Sequence, residues 1–271
     1  MPRPPVVAPS PPTARSSLPR AAAARSHPAR YSGAVSENTT QPLLVLVAMP
    51  EEAAPLLQHL QDAHDLPCPL ARVSAVAGTL EGAATVVVTT GIGIAAASAA
   101  ATWAIITQQP RLVVAAGSCG GLAADVEVGT LIVGESFTYS IADATAFGYA
   151  PGQVPGSPAR FEAETQWVDR AEAAAQSVGG AVRRGLMLSG DAFVTAPLAA
   201  PMRERFPGAL SADMETTATA RTADTLGVPM VALRAVSDLC GPAADQQFHL
   251  EIDVVAERSA AAVAALAKKL A

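Results

Sequence analysis

Three stretches between Gly185 and Asp238 constrain this chain more than anything else in it: G-L-M-L-S-G-D-A-F-V, S-A-D-M-E-T-T-A and V-P-M-V-A-L-R-A-V-S-D. Each starts as an apolar, strand-like run and switches abruptly to acids, small residues or an aromatic. An open α/β sheet presents its ligand site in this way, at the carboxyl ends of its strands. Three such ends imply one site. Asp238 follows the run Pro229 to Val236, whose only charge is Arg234. A lone carboxyl in so apolar a setting should keep its proton to higher pH, which lets it protonate a leaving group. The bland alternative is that Asp238 caps the next turn.

Half of the 271 residues are apolar and 15% are charged, enough for a sizeable core in one domain. The first 42 residues differ: they hold nine of the 22 prolines, five arginines and a single acid, Glu37. Without helical or strand period they read as a disordered leader, 1–42, ahead of a folded domain, 43–271. A disordered extension or over-long start ranks first and an organelle transit peptide second, since the segment is Arg-, Ser- and Ala-rich. An export signal fails for want of an apolar core after the arginines. The leader takes five of 18 basic and one of 24 acidic residues, so residues 43–271 carry a formal charge of −10 and a nucleic-acid surface is disfavoured. Cys68, Cys119 and Cys240 are odd in number and have no paired spacing, which argues against a disulfide frame or zinc site and for a reduced cytoplasm. The four histidines are scattered, so no metal is expected.

Leu43 to Ala48 suits a buried strand, and Met49-Pro50-Glu51-Glu52 suits a helix start, with proline and acids in the first turn. Residues 83–107 carry no charge, yet Thr85 to Thr90 is strand-like, Gly91-Ile92-Gly93 breaks it and Ala95 to Thr107 is helix-forming, so strand, turn and buried helix fit better than a membrane span. Gly91, Gly93 and Ala96 also satisfy a dinucleotide-binding fingerprint. The acid such a site wants at the end of the next strand is missing, the next one being Asp125, so a nicotinamide dehydrogenase is disfavoured. Leu112 to Ala116 should be the following strand, closed by a small-residue loop, Gly117-Ser118-Cys119-Gly120-Gly121, and Val126 to Glu135 another. The aromatic, proline-rich stretch 143–156 is long for a structureless loop in a chain only 4% aromatic. Trp167 to Val178, Thr216 to Leu226 and Val254 to Leu270 read as structural helices.

The motifs S-G-D-A-F at 189–193, M-E at 214–215 and R-A-V-S-D at 234–238 resemble the purine nucleoside phosphorylase and hydrolase superfamily, above all its hydrolytic branch, the methylthioadenosine/S-adenosylhomocysteine nucleosidases. The similarity runs from about Leu43 to the C-terminus. It implies a three-layer α/β/α sandwich around a mixed, mostly parallel central sheet. It also implies hydrolysis of the N-glycosidic bond of a 5′-substituted adenine nucleoside, without cofactor, in a homodimer with shared sites, as in methionine salvage. Met49 and Glu52 match the family's M-x-x-E, which implies Glu52 as the base that activates water. Asp238, beside Ser237, would protonate the purine and favour adenine over hypoxanthine. Phe193 would stack on the base and the backbone of Val194 read its edge. Glu215 would take the ribose hydroxyls with Met214 beneath the sugar, although a helix-capping acid and a core filler are their bland readings. Ile92, Ser118 and Gly120 would line the site, with Arg234 and Ser118 holding the water. Cys119 stands where the family has alanine. Phe147, Tyr149 and Pro155 would cover the 5′ group in the neighbouring subunit. Ile252 falls about where an aromatic would cover the nucleoside, and the loop Leu239 to Ala244 is longer than in familiar relatives. Methylthioadenosine, adenosylhomocysteine, 5′-deoxyadenosine and aminodeoxyfutalosine all remain candidate substrates. A purine nucleoside phosphorylase and a non-catalytic nucleoside-binding protein are the alternatives.

Overall fold

The computed structural model describes residues 41–271, without the side chain of Leu250. The expectations for the leader fall, but for its last two residues, outside that range. Along the chain come β1 (Leu43–Val47), α1 (Pro50–His59), β2 (Gln61–Asp65), β3 (Ser74–Leu80), β4 (Ala83–Thr89), α2 (Ile94–Gln108), β5 (Leu112–Gly121), β6 (Leu131–Tyr139), β7 (Phe161–Glu162) and α3 (Thr165–Val178). They are followed by β8 (Val182–Ser189), α4 (Ala196–Arg205), β9 (Ala209–Asp213), α5 (Thr216–Leu226), β10 (Met230–Asp238) and α6 (Ala244–Lys268).

The sheet runs in the order β10-β6-β8-β9-β5-β1-β4-β3-β2, and β10 also pairs with β5. That extra pairing closes β5, β10, β6, β8 and β9 into a ring, while β1 to β4 extend from it as an open wing. β1 lies parallel to β4 and β5, β10 parallel to β5, and β8 parallel to β6 and β9; the outer strands β2 and β3 pair antiparallel.

Alternation along β1 explains the layers. Leu43, Val45 and Val47 face a core shared with α1, α3 and α6, and Leu44 and Leu46 face a second core shared with α2 and α5. Because successive side chains of a strand point to opposite faces, a strand covered on both sides must be apolar throughout, and β1 is. Truncating one of these leucines to alanine would cost about 2–5 kcal/mol. The uncharged stretch 83–107 is accordingly β4 and the alanine-rich α2, whose Ala97, Ala100, Ala101 and Ala104 are fully buried. Among the described residues no helix is long and apolar enough to cross a membrane.

Several boundaries differ from the sequence expectation. The glycine-rich segment after Ala116 is not a loop but the second half of β5, paired with β10 from Arg234↔Gly117 to Asp238↔Gly120. The expected strand from Val126 lies instead at Leu131–Tyr139. The terminal helix starts ten residues before Val254, at Ala244. Ile252 packs against the α1/α3/α6 core instead of covering a ligand.

Candidate active site

The carboxyl ends of β1, β5, β9 and β10 and the turn after β8 surround one cavity of about 440 Å³. Both proposed carboxylates, Glu52 and Asp238, line it. So do Met49, Ile92, Ser118, Gly120, Phe193, Val194, Met214, Glu215, Arg234 and Ser237. Phe147, Tyr149 and Pro155 do not. They sit on the segment between β6 and β7, with Phe147 77% exposed, on a short 3-10 turn, Thr145–Phe147. An ion pair from Arg205 to Asp143 at 3.0 Å ties that segment to α4.

Glu52 occupies the third position of α1, and its bland reading is partly realised. Oε2 accepts the backbone N–H groups of Ala48 and Met49 at 2.8 and 3.2 Å, satisfying donors at the helix start. The other oxygen turns away from the helix. Oε1 accepts the backbone N–H and the hydroxyl of Ser118 at 2.7 and 2.8 Å. The carboxylate is only 2% exposed, whereas its neighbour Glu51 is open to solvent. Gly117, at φ +114°, makes this possible, since a Cβ there would overlap the Glu52 carboxylate.

Arg234 is buried on β10 opposite Gly117. Its guanidinium donates to the Ser118 carbonyl at 2.7 Å and to Glu215 at 3.3 Å, and its Nε lies 3.9 Å from Asp213. Burial opposes its charge, but Asp213, Glu215 and Glu52 outweigh burial and hold it protonated. Glu215 heads α5 without capping it. Asp213 Oδ1 does that, accepting the N–H groups of Glu215 and Thr216 at 2.8 Å each and the Ser189 hydroxyl at 2.9 Å. The Glu215 carboxyl reaches the Gly93 N–H at 2.9 Å. Burial pushes its pKa up to about 7 against the pull of Arg234, with Asp213 adding to the rise.

At the far end of the cavity, Asp238 Oδ1 accepts the Cys240 N–H at 2.9 Å and Oδ2 the Ser237 hydroxyl at 3.0 Å. Burial raises its pKa despite these donors, the direction expected of a carboxyl in an apolar setting, and the bond from the Cys240 N–H is what the turn-capping reading expects. Phe193 is 42% exposed at the mouth.

The start of α2 settles the dinucleotide fingerprint. Gly93 gives its N–H to Glu215 and Ile94 its N–H to Asp191 at 2.7 Å, so two carboxylates of the chain take the donors a pyrophosphate would need. The wall therefore carries one buried guanidinium, three buried carboxylates around it, and a separate acid, Asp238, with the aromatics Phe193 and Phe248 on the same cavity. That set fits a neutral nucleoside cleaved by water.

Comparison with known proteins agrees with it. The phosphorylase superfamily matches residues 42–271. A methylthioadenosine/S-adenosylhomocysteine nucleosidase from Neisseria meningitidis, solved in complex with methylthio-immucillin-A, is 35% identical with a TM-score of 0.81, over 84% of this chain and 99% of that one. This chain belongs to that nucleosidase family. A nucleosidase from Colwellia psychrerythraea in complex with adenine is 30% identical, TM-score 0.80, over 85% of this chain and 96% of that one. One from S. pneumoniae with a transition-state inhibitor is 29% identical, TM-score 0.80, over 85% and 100%.

Some wall residues of this family member escaped the sequence reading. Asp213 was visible as the acid closing the second apolar run, but its neighbour Glu215 drew the role. Asp245, Phe248 and His249 of α6 also line the cavity. The Phe248 ring meets Phe193 edge to face with centroids 5.8 Å apart. Phe248 lies one turn before Ile252 and one turn after Ala244, in an otherwise mostly polar run, so the four-residue spacing of these apolar residues was the signal that could have drawn notice. Among the described residues no cluster of three or more His, Cys, Asp or Glu could hold a metal.

Proposed function

We propose that the protein hydrolyses the N-glycosidic bond of a 5′-substituted adenine nucleoside, releasing adenine and the free ribose derivative. The observation that carries this is the division of labour between two carboxyls on one cavity wall. Glu52 is anchored by four hydrogen bonds, and Asp238 has a pKa raised by burial. Asp238 delivers its proton to the purine N7 as the bond from N9 to C1′ breaks and its electrons pass to the base. Water attacks C1′ and gives its proton to Glu52. The sugar becomes oxocarbenium-like in between, and the carboxylates around Arg234 favour that positive charge. Glu215 binds the ribose hydroxyls, Phe193 stacks on the base and Val194 reads its edge through its backbone. With an acid at N7 that also accepts from a 6-amino group, adenine is preferred to hypoxanthine.

The 5′ substituent is methylthio, S-homocysteinyl or, in 5′-deoxyadenosine, hydrogen. Phe147, Tyr149 and Pro155 cover it from a second copy of the chain, so the working unit is a homodimer. The exposure of Phe147 supports this, because a large aromatic on an ordered segment calls for a partner. Three free cysteines suit a reducing cytoplasm. The test is adenine release from methylthioadenosine, adenosylhomocysteine, 5′-deoxyadenosine and aminodeoxyfutalosine by wild type and Asp238→Asn. Release from at least one of the first three, reduced by roughly two to four orders of magnitude in the variant, is expected. No release from any of them, with binding retained, would make this a binding protein.

A further inference from the structure

We propose that Asp191 is a positioning residue for the base: from outside the cavity wall it fastens the loop that carries Phe193 and Val194 to the helix end that also holds Glu215, and so sets the span between base and ribose sites. This rests on the nucleoside-site reading, in which Phe193 and Val194 hold the base and Glu215 the ribose.

Asp191 is the acid of S-G-D-A-F, and the reaction gives it no part. It lies in the connection between β8 and α4, residues 190–195. That connection starts firmly, since the Gly190 N–H donates to the Asp213 carbonyl at 3.1 Å and the Ala192 N–H folds back to the Gly190 carbonyl at 2.7 Å. Beyond Ala192 it is held differently. Among the described residues the backbones of Phe193 and Val194 make no backbone–backbone hydrogen bond, as reading a base edge through Val194 requires. The Val194 side chain packs in a cluster with Leu186, Leu188 and Phe206, the Phe193 ring meets Phe248, and the remaining tether is Asp191.

Asp191 Oδ1 accepts the N–H of Ile94, the first residue of α2, at 2.7 Å, across 97 positions of sequence. The preceding residue, Gly93, has no side chain to cap the helix, so the carboxylate arrives from another segment, where the helix dipole favours it. Gly93 also clears the way: it sits at φ +105°, and a Cβ there would come within 2.8 Å of Asp191 Oδ1. The Gly93 N–H in turn donates to Glu215 Oε1 at 2.9 Å. Consecutive donors of one helix end thus hold the base loop and the ribose carboxylate, with Ile92 of the cavity wall just ahead of them.

The bland reading is a cap that stabilises a helix start and leaves binding untouched. The two readings separate in kinetics. Stacking and edge recognition act on the base before and during bond breaking, so a loosened loop weakens binding more than it slows chemistry.

The experiment measures kcat and KM for methylthioadenosine, calorimetric Kd for adenine and for methylthioribose, and melting temperatures, in wild type, Asp191→Ala and Asp191→Asn. Asp191 is exposed, so neither variant removes a buried side chain. In Asp191→Ala, KM and the adenine Kd should both rise roughly five- to tenfold, with kcat within about threefold and the methylthioribose Kd within about twofold. Asp191→Asn keeps an acceptor oxygen and should restore most of the loss. An unchanged adenine Kd in Asp191→Ala, whatever the melting temperature, would leave Asp191 at most a helix cap and overturn the proposal. So would an equal loss of adenine and methylthioribose binding, or an asparagine variant no better than alanine. A wild type that binds adenine without cleaving the nucleoside would defeat the hydrolytic reading alone, since the adenine Kd of the variants still decides this one. A wild type that binds no adenine would overturn both.

Discussion

The backbone N–H and the hydroxyl of Ser118 donate to one and the same oxygen of Glu52, at 2.7 and 2.8 Å. This ties a residue of α1 to the middle of β5, 66 positions away in sequence, and leaves the hydroxyl oxygen of Ser118 able to accept from a water beside the carboxylate. Glu52→Gln removes the base and sets an amide NH₂ against backbone donors, so kcat should fall by roughly two to four orders of magnitude. Gly117→Ala should cost about 100-fold by displacing the same carboxylate. Steady-state kinetics with melting curves check both. A Glu52→Gln enzyme near wild-type rate would remove Glu52 from the chemistry.

Glu215 makes the stability of the ligand-free protein depend on pH. Its carboxyl ionises near 4.5 when unperturbed and at about 7 when folded. Between these values the folded chain holds the extra proton, so the contribution is present below the lower value and lost as pH rises through the upper one. Glu215→Gln cannot titrate. Its stability relative to wild type should therefore improve from pH 5 to pH 8, on the order of 2 kcal/mol across that window, read as a rise in its relative melting temperature. An equal difference at both pH values would show that Arg234 keeps Glu215 ionised throughout.

How much of this was legible follows from local chemistry. Asp238 and Arg234 stand out because an apolar run exposes any charge within it, whereas proline and acids announce only a helix start at Glu51 and Glu52, and it is the match to the nucleosidases' M-x-x-E that singles out Glu52. Gly117 to Gly121 misleads because glycine has no strand signature, and only pairing with Arg234 to Asp238 makes the segment a strand. β2 was missed because its five residues, Gln61 to Asp65, are all exposed and all but Ala63 are polar, so no alternation marks it. The first ten residues of α6 are masked by Asp245, Gln246, Gln247, His249, Glu251 and Asp253, which outnumber the apolar residues Ala244, Phe248, Leu250 and Ile252, although Ala244, Phe248 and Ile252 fall at helical spacing. Phe248 therefore reached the cavity unannounced, and Ile252 was placed there wrongly.

Assembly offers a separate check. If Phe147 completes the site of a second copy, the protein should be dimeric at assay concentration. Phe147→Ala should then raise KM several-fold for methylthioadenosine and less for 5′-deoxyadenosine. Light scattering and kinetics on the two substrates decide it, and a fully active monomer would rule it out.

The nature of the nucleophile is the central claim. Phosphate needs converging cations or free backbone donors. Here Arg234 is already paired with Glu215 and the Ser118 carbonyl, and the α2 donors serve Glu215 and Asp191. In the proposed mechanism the nucleophile approaches Glu52, whose repulsion of a phosphate dianion at ~4 Å and a dielectric of about 20 is on the order of 8 kcal/mol before screening. The direct measurement is the sugar product formed from methylthioadenosine with and without phosphate. Free methylthioribose in both cases, at an unchanged rate of adenine release, is the expected result. A sugar 1-phosphate as the main product would contradict it.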